Sequence, residues 1–202
     1  MTKILLATNN KDKLRELQVI LNGLPVELVT FEQFPGLPPT VEDADSLEEN
    51  ALKKAKEAFR RTGLPAIADD TGLEVPYLNG RPGVYSSRYA GQGATYADNV
   101  RKLLKDLRGV PARRRGAQFR CAVAFVPDQR SHHVVEGVCR GTILESARGA
   151  NGFGYDPIFL PSGFGQSFGE MDAALKNTIS HRALALQRLK TVLRQYLSGV
   201  DR

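Results

Sequence analysis

The order of apolar and polar positions predicts an α/β protein in which short buried strands alternate with amphipathic helices. Residues 3–8 form an apolar run typical of a buried strand, and a polar Asn9-Asn10 turn follows. Apolar side chains then recur at helical spacing, at Leu14, Leu17, Ile20 and Leu21. This helix is predicted to end near Asn22-Gly23, before a second strand over residues 26–30. Strand, loop, helix and strand in this order are typical of α/β folds.

Two further helices are marked by capping residues. Ser46 and Glu49 fit a capping box, and Gly63 is predicted to close the helix that they open. Its predicted inward face is formed by Leu52, Ala55 and Phe59. Thr95 and Asp98 predict another capped start, and that helix carries Val100, Leu103, Leu104 and Leu107.

The C-terminal half is predicted to contain two longer strands and a final helix. Residues 118–126 and 132–138 read as strands, antiparallel across a Pro127-Asp128 turn. The last helix is predicted to begin near Thr178 or Ser180 and to reach about Leu197, with its core side chains at Leu186, Leu189, Leu193 and Tyr196. Residues after about Gly199 are predicted to form a frayed tail.

Composition indicates an ordinary globular protein. The 202 residues are 42% hydrophobic and 25% charged, and no apolar stretch approaches the roughly 20 residues that span a bilayer. The first residues lack the pattern of a secretory signal, so a cytoplasmic location without membrane contact is predicted. Cys121 and Cys139 lack the spacing of metal ligands and read as small, buried, reduced residues.

The net charge of +6 suggests an anionic partner, for which nucleotides and nucleic acids are both candidates. The densest basic run, Arg113-Arg114-Arg115, is predicted to be an exposed, solvated loop. Because no aromatic residues interleave with it, as a single-strand binding surface requires, no specific nucleic-acid binding is expected. A basic nucleic-acid-binding module is the weaker alternative.

Paired carboxylates follow the apolar residues 65–68. This strand-like run is predicted to end in Asp69-Asp70, with a turn at Thr71-Gly72. Burying an unpaired carboxylate is expensive, so such a pair usually holds a metal, meets a cation or handles a proton. Successive strand side chains point to opposite faces, so only one of the two is expected in a given cleft. The alternative is a solvated turn in which Asp70 caps backbone N–H groups.

The loop from Thr8 to Lys13 lies between a predicted strand and helix, where unpaired N–H groups can receive a phosphate. Thr8 and the two asparagines add neutral donors, and Lys13 adds a full charge. The loop lacks the glycine-rich Walker sequence, so it is not a P-loop. The alternative is a simple helix cap with solvated lysines.

The most distinctive segment is Gly152-Phe153-Gly154-Tyr155-Asp156-Pro157-Ile158-Phe159. Alternating glycines and aromatics let backbone approach a planar ligand while an aromatic face stacks on it, and Asp156 can accept hydrogen bonds from a base edge. The alternative is a tight turn in which Phe153 and Phe159 are simply buried. Downstream, Lys176, His181 and Arg182 offer donors suited to carbonyl oxygens or phosphate.

Six motifs in order resemble the inosine triphosphate pyrophosphatase family. They extend over almost the whole chain, from Ile4 to about Leu189: Ala7-Thr8-Asn9-Asn10-Lys11-Asp12-Lys13, Glu49-Asn50-Ala51 with Lys54, Ala68-Asp69-Asp70-Thr71-Gly72-Leu73, Pro82-Gly83-Val84-Tyr85-Ser86-Ser87-Arg88-Tyr89, the Gly152–Phe159 segment and Ile179-Ser180-His181-Arg182. The resemblance implies an elongated, two-lobed α/β fold with a central mixed β-sheet flanked by helices. It also implies one catalytic domain over residues 1–202 with the active cleft between the lobes, a homodimer and a requirement for Mg²⁺.

The resemblance also implies roles for individual residues. Asp70 would be the general base and, with Glu42, would bind Mg²⁺; Asp43 or Asp45 could replace Glu42. The triphosphate would be held by Thr8, Asn9, Asn10, Lys11, Asp12, Lys13 and Lys54, with Thr71 assisting. Phe153 would stack on the purine, and Gly154 and Tyr155 would also bind the substrate. The base would be surrounded by Asp156, Lys176, His181 and Arg182.

The activity that the resemblance implies is hydrolysis of deaminated purine nucleoside triphosphates (ITP, dITP and XTP) to the monophosphate and pyrophosphate. Donors around the base would favour a 6-oxo group over the 6-amino group of adenine, since a buried donor left unpaired costs about 1–3 kcal/mol. The alternatives are a pyrophosphatase for pyrimidine or other modified nucleotides and a non-catalytic nucleotide sensor. The preferred base and sugar are left open.

Overall fold

A mixed β-sheet organises the part of the chain that the computed structural model describes, residues 1–199. Its strands are β1 (Thr2–Leu6), β2 (Val26–Thr30), β3 (Ala66–Glu74), β4 (Pro82–Gly83), β5 (Gly116–Val126), β6 (His133–Ile143) and β7 (Phe159–Pro161). The strand order is β2-β1-β3-β5-β6-β7, and β4 pairs with β3. Strand β1 is parallel to β2 and β3, whereas β3–β4 and β6–β7 are antiparallel pairs. The predicted α/β class with a mixed sheet is confirmed.

The described residues form five α-helices, two of which begin at predicted capping residues. They are α1 (Lys11–Leu21), α2 (Leu47–Thr62), α3 (Tyr96–Asp106), α4 (Ala173–Ile179) and α5 (His181–Ser198). Ser46 caps α2, and Thr95 forms a reciprocal capping box with Asp98 at the start of α3. Gly63 ends α2 in the left-handed conformation, with φ of 71°. These local signals acted as predicted because they depend only on neighbouring residues.

Two compact units can be distinguished, and each has its own hydrophobic core. Unit 1 comprises Met1–Asp70, Cys121–Gly137 and the chain from Arg182, and unit 2 comprises Thr71–Arg120 and Val138–His181. The core of unit 1 is built from β1, α1, α5 and parts of β3 and β5: Ile4, Leu6, Leu17, Leu21, Ile67, Cys121, Val123, Phe125, Ala185, Leu186, Leu189 and Leu193. The inward face predicted for the last helix is thereby confirmed.

The core of unit 2 is aromatic at its centre. Phe119, Phe159 and Phe168 pack with ring centroids between 4.7 and 6.2 Å apart. Aliphatic side chains of α3, among them Leu103, surround this group. The burial of both Cys121 and Cys139 as thiols agrees with the prediction for them.

Strand β3 differs most from its prediction. It does not end at Asp69-Asp70 but continues through Thr71-Gly72 to Glu74. The later part pairs with β4, where Leu73 lies opposite Gly83, and Ser86 Oγ accepts the Leu73 N–H at 2.9 Å. The predicted turn at Thr71-Gly72 and the alternative of a solvated Asp70 are therefore both wrong. Residues from a later part of the chain therefore keep Thr71-Gly72 extended, although the local sequence favours a turn.

Helix α2 buries a different face from the predicted one. Its buried side chains are Leu47, Asn50, Ala51, Ala55 and Ala58, whereas Leu52 and Phe59 are only half-buried.

Helix α4 was not predicted as a separate element. Its cap is Asp172, whose side chain accepts the Leu175 N–H. The predicted tail after Gly199 lies outside the described residues. None of the helices within residues 1–199 is both long and apolar enough to cross a membrane.

The basic run is only partly a solvated loop. Arg113 and Arg114 are exposed, but Arg115 is 3% exposed. The Arg115 guanidinium donates to the carbonyls of Leu107 at 2.8 Å, Ile143 at 2.8 Å and Leu144 at 2.6 Å. Burial was missed because the three acceptors come from distant parts of the sequence. Arg115 therefore ties the end of α3 to the end of β6.

We expect Arg115→Ala to lower the free energy of unfolding by about 3 kcal/mol, because three buried carbonyls lose a charged donor. Urea unfolding of the two proteins measures this difference. The matched control is Arg113→Ala, which removes the same side chain from an exposed position and should leave the urea midpoint nearly unchanged. Equal effects of the two substitutions would contradict the structural role of Arg115.

Candidate functional site

Asp69 lies at the centre of a buried charge cluster in unit 1. Its Oδ2 atom is 3.0 Å from Lys13 Nζ and accepts hydrogen bonds from Arg182 Nη2 at 3.2 Å and Nε at 3.3 Å. The Arg182 side chain is 1% exposed and also donates to Glu16 Oε2 at 2.5 Å. Strand β3 and helices α1 and α5 thus meet through one carboxylate.

The charges of this cluster determine the ionisation of Asp69. Burial by itself would raise the pKa of Asp69, but Lys13, Arg182 and Lys54 together outweigh burial and hold the pKa well below its usual range. The pKa of Arg182 is raised in the same way: burial would lower it, and Asp69 and Glu16 overcome that effect. Asp69 is therefore a permanent anion that anchors cations.

Lys54 forms a second centre, in which three oxygen atoms surround one ammonium group. Its Nζ donates to Glu42 Oε1 and to the backbone carbonyl of Asp69, both at 2.5 Å, and to Asp70 Oδ1 at 3.5 Å. Burial would lower the pKa of Lys54, but Asp70, Glu42 and Asp69 raise it overall. The ammonium therefore stays charged although its side chain is only 11% exposed.

The pKa of Asp70 is shifted upwards, in the opposite direction to the pKa of Asp69. Burial raises its pKa, and the nearby carboxylates of Glu42 and Asp69 add to this, while Lys54 and Lys13 oppose it only in part. Its Oδ1 atom lies on the Lys54 side, whereas Asp69 Oδ2 points to Lys13 and Arg182. An aspartate with a raised pKa is a stronger proton acceptor than an ordinary one.

The acidic connector before α2, residues 40–45, brings Glu42 to the Lys54 ammonium, rather than Asp43 or Asp45. Asp43 instead pairs with Lys53 at 2.5 Å, and Asp45 is exposed. Among residues 1–199, no group of three or more His, Cys, Asp or Glu side chains is arranged to hold a metal ion. Two carboxylates around one cation nevertheless fit Mg²⁺, which is commonly held by one or two carboxylates together with substrate phosphates. The alternatives Asp43 and Asp45 lose support.

The first loop is organised around Asn10, which caps α1. Asn10 Oδ1 accepts the N–H groups of Asp12 at 2.9 Å and Lys13 at 3.2 Å, and Thr8 Oγ1 accepts the Asn10 N–H at 3.2 Å. The helix-cap interpretation thus holds for Asn10, but Lys13 reaches Asp69 instead of being merely solvated. Asn9 and Lys11 are exposed, and Asp12 is half-buried.

A second set of predicted residues comes together in unit 2. Asp156 Oδ2 accepts hydrogen bonds from the Phe153 N–H at 2.7 Å and from Lys176 Nζ at 2.6 Å. The same ammonium lies 4.8 Å from the centroid of the Phe153 ring, and Asp156 and Lys176 are both buried. Gly152 has φ of 72°, and a Cβ atom there would collide with Asp156 Oδ2. The segment is thus folded tightly around one carboxylate.

The aromatic residues of this segment have different positions. Tyr155 is buried and donates its hydroxyl to the Ser86 carbonyl at 2.9 Å, and burial raises its pKa. Phe153 is half-buried, with Tyr96 at 5.8 Å between centroids, so its ring is the one available for stacking. His181 is buried, and its ring stacks on Phe119 at 4.5 Å. The interpretation of Phe159 as a core residue is confirmed.

The structure thus forms two separate groups from the predicted site residues. Unit 1 assembles Lys13, Glu42, Lys54, Asp70 and Arg182, and unit 2 assembles Phe153, Asp156 and Lys176. Sequence reasoning missed Glu16, and it included Asn50 in a motif without giving it a role. Glu16 lies one helical turn after Lys13, a spacing that predicts a shared face. Asn50 is a buried amide near the start of a helix, which is itself an unusual position.

Comparison with known proteins gives consistent matches over nearly the full chain. The sequence matches the Ham1 family over residues 4–192. A dITP/XTP pyrophosphatase of Geobacter sulfurreducens is 48% identical over 190 residues, covering 94% of this chain and 96% of that protein. A HAM1 protein from Coxiella burnetii has a TM-score of 0.88 at 41% identity, covering 96% of this chain and 100% of that one. A nucleoside-triphosphatase, dITP/XTP pyrophosphatase, from Mycobacterium abscessus has a TM-score of 0.76 at 42% identity, covering 93% and 97% respectively.

We expect Asp69→Asn to lower the free energy of unfolding at pH 7 by about 3–5 kcal/mol, because Lys13 and Arg182 keep their buried charges without the anion. The stabilisation by Asp69 is present above the unfolded-state pKa of about 3.9 and is lost as the pH falls towards the lower pKa of the folded state. The difference between the two proteins should therefore shrink below about pH 4.

Urea unfolding at pH 7 and at a series of acidic pH values measures this difference. Asp43→Asn is the control, since it removes a carboxylate from an exposed ion pair with Lys53 and should change stability little at either pH. A pH-independent difference would contradict the lowered pKa of Asp69.

Proposed function

Since this chain belongs to the Ham1 family, we propose that it hydrolyses deaminated purine nucleoside triphosphates (ITP, dITP and XTP) to the monophosphate and pyrophosphate. The observation that carries the proposal is Asp70, a buried carboxylate with a raised pKa, 3.5 Å from the Lys54 ammonium. Hydrolysis of a polyphosphate needs a proton acceptor for water beside cations that neutralise the phosphates. We propose that the enzyme acts in the cytoplasm as a homodimer, as the resemblance implies.

Charge compensation is the proposed role of the lysines. Lys13 and Lys54 would face the triphosphate, with the Thr8–Lys13 loop and Thr71 supplying neutral donors. Asp69 supports this role indirectly, because its carboxylate holds Lys13 at 3.0 Å and keeps the start of α1 in place. Cations fixed before the substrate arrives stabilise developing charge without reorganisation.

Water activation is the proposed role of Asp70. The carboxylate would take a proton from the water that attacks phosphorus, and the bond to the pyrophosphate oxygen would break. General-base catalysis of this kind is typically worth about 10²–10⁴-fold in rate. The raised pKa matches this role, whereas the lowered pKa of Asp69 makes the neighbouring carboxylate a poor base.

Mg²⁺ fits the donor set formed by Glu42 and Asp70, because both offer the oxygen ligands that this ion prefers. When bound, the ion would neutralise charge on the phosphate oxygens. The two side chains would hold it from the connector and from β3, so their fixed positions matter as much as their charge.

Base recognition is the proposed role of the unit 2 group. Phe153 offers a half-buried ring for stacking on the purine, and Lys176 is held beside that ring by Asp156. Asp156 Oδ2 accepts from both Lys176 and the Phe153 N–H, so the carboxylate orients the ammonium and the Phe153 backbone together. An oriented ammonium favours a 6-oxo acceptor and disfavours the 6-amino donor of adenine. His181 would add a donor near the base, as the resemblance implies, whereas the Arg182 guanidinium is bound to Asp69 and Glu16 in the unit 1 group.

Pyrophosphate release from ITP, XTP, GTP and ATP tests the proposed activity. We expect turnover of ITP and XTP with Mg²⁺ far above turnover of ATP and GTP, and loss of turnover in EDTA. Full turnover in EDTA would contradict the metal requirement, and equal turnover of ATP would contradict the 6-oxo selectivity. Absence of turnover with all four nucleotides would overturn the proposed function.

The general-base role is tested by Asp70→Asn. We expect kcat to fall by at least about 10²-fold while the urea midpoint stays near or above that of the unchanged protein, since burial already disfavours the Asp70 charge. Asp69→Asn is the matched comparison, because it removes a neighbouring carboxylate that is not the proposed base; we expect it to lower stability and, through the loss of the Lys13 contact, to lower kcat less than Asp70→Asn does. A near-normal kcat in Asp70→Asn would show that another group accepts the proton.

A further inference from the structure

The Lys54 ammonium occupies the position between the two carboxylates that are proposed to hold the metal. It contacts Glu42 Oε1 at 2.5 Å and Asp70 Oδ1 at 3.5 Å, and the Asp69 carbonyl provides a third oxygen at 2.5 Å. An ammonium group and a divalent cation seek the same oxygen ligands. Both cannot lie between Glu42 and Asp70 at once.

Helix α2 prevents Glu42 from simply moving away from this position. Asn50, which is 1% exposed, accepts the Ala44 N–H at 3.0 Å and donates to the Ala44 carbonyl at 3.5 Å. Two turns further along, Glu57 Oε2 accepts a hydrogen bond from the Thr40 hydroxyl at 2.9 Å. The connector is therefore fastened to α2 on both sides of Glu42. The long lysine side chain is the more mobile partner.

We propose that Lys54 is the resident counter-ion of the Glu42–Asp70 pair and must leave it before a divalent cation binds there, which couples metal binding to triphosphate binding. The inference rests on the proposed function, because it takes Glu42 and Asp70 as metal ligands. A displaced ammonium needs a new anion, and the triphosphate provides one. Without the triphosphate, two carboxylates would face both a divalent ion and a displaced ammonium, an excess of positive charge in a partly buried site.

Divalent-metal binding to the nucleotide-free protein tests the inference without any activity measurement. Mn²⁺, titrated by calorimetry or followed by electron paramagnetic resonance, is the probe. We expect Lys54→Met to bind Mn²⁺ about tenfold tighter than the unchanged protein, because the competing charge is gone. Unchanged or weaker Mn²⁺ binding by Lys54→Met would overturn the counter-ion role.

Two control variants separate competition at the site from a general change in charge. Lys53→Met removes the same charge one residue earlier on α2, where the ammonium pairs with Asp43 instead. We expect it to stay within about twofold of the unchanged protein, since its ion pair is partly exposed. Lys54→Arg keeps a competing cation at the same position and should bind Mn²⁺ about as weakly as the unchanged protein does. Equal tightening in Lys53→Met and Lys54→Met would show a general electrostatic effect and overturn the inference.

Acylation of lysines in the unchanged protein tests the same inference, and its result does not depend on whether a variant folds. Lys54 should react slowly with acetic anhydride in the absence of metal, because its ammonium is enclosed by three oxygens. Saturating Mg²⁺ should increase its labelling, read by mass spectrometry of peptides, while Lys53 stays constant. Lys54 labelling that does not change with Mg²⁺ would overturn the displacement.

Failure of this inference can be distinguished from failure of the proposed metal site. Glu42→Gln should abolish Mn²⁺ binding if the site is as proposed. If the unchanged protein and Lys54→Met bind Mn²⁺ equally well, and Glu42→Gln does not bind it, the metal site stands and the counter-ion role fails. If none of them binds Mn²⁺, both the metal site and the inference are wrong.

Discussion

The ion pairs of Asp69 are the interaction on which the rest of unit 1 depends. A fully buried carboxylate is tolerated only with opposite charges beside it, and Lys13 and Arg182 supply them to Asp69 from α1 and α5. Those two helices are far apart in sequence, so the pairs fix the tertiary arrangement of three elements at once. Because Arg182 is also bound to Glu16, its own charge is compensated on two sides. The same contacts orient Lys13, which has a chemical role in the proposed reaction.

Adjacent aspartates on β3 have opposite ionisation because strand geometry directs them to different surroundings. Asp69 faces Lys13 and Arg182, which outweigh the cost of burial, whereas Asp70 faces a region where Glu42 adds further negative charge. One side chain is thereby kept permanently charged, and the other gains affinity for protons. This division requires the strand to continue through both residues. A turn at this point would let both carboxylates reach water and would bring their pKa values back towards ordinary ones.

Local signals predicted most of the fold, and contacts between distant segments explain what was missed. The caps at Ser46 and Thr95 and the apolar face of α5 depend on neighbouring residues, so periodicity and capping located them. The extension of β3 depends on β4 and Ser86, and the burial of Arg115 depends on carbonyls up to 29 residues away. In the site, one motif contained Lys54, and the resemblance implied Glu42 with Asp43 or Asp45 as alternatives, but neither indicated that one ammonium would join Glu42 to Asp70. That contact is created by the connector lying along α2, which no local pattern indicates.

Both groups of predicted site residues follow one physical rule, although they belong to different units. Lys176 is buried against Asp156 in unit 2, as Lys54 is buried against Glu42 and Asp70 in unit 1. Each lysine ammonium is paired with carboxylates while its own side chain stays largely out of water. A cation prepared in this way loses little hydration when a substrate oxygen approaches, and its position is already determined. The two lysines differ in what their partners can do: Lys176 pairs with Asp156 beside the Phe153 ring and fits a fixed recognition role, whereas Lys54 lies between Glu42 and Asp70, two carboxylates that can also bind a metal ion.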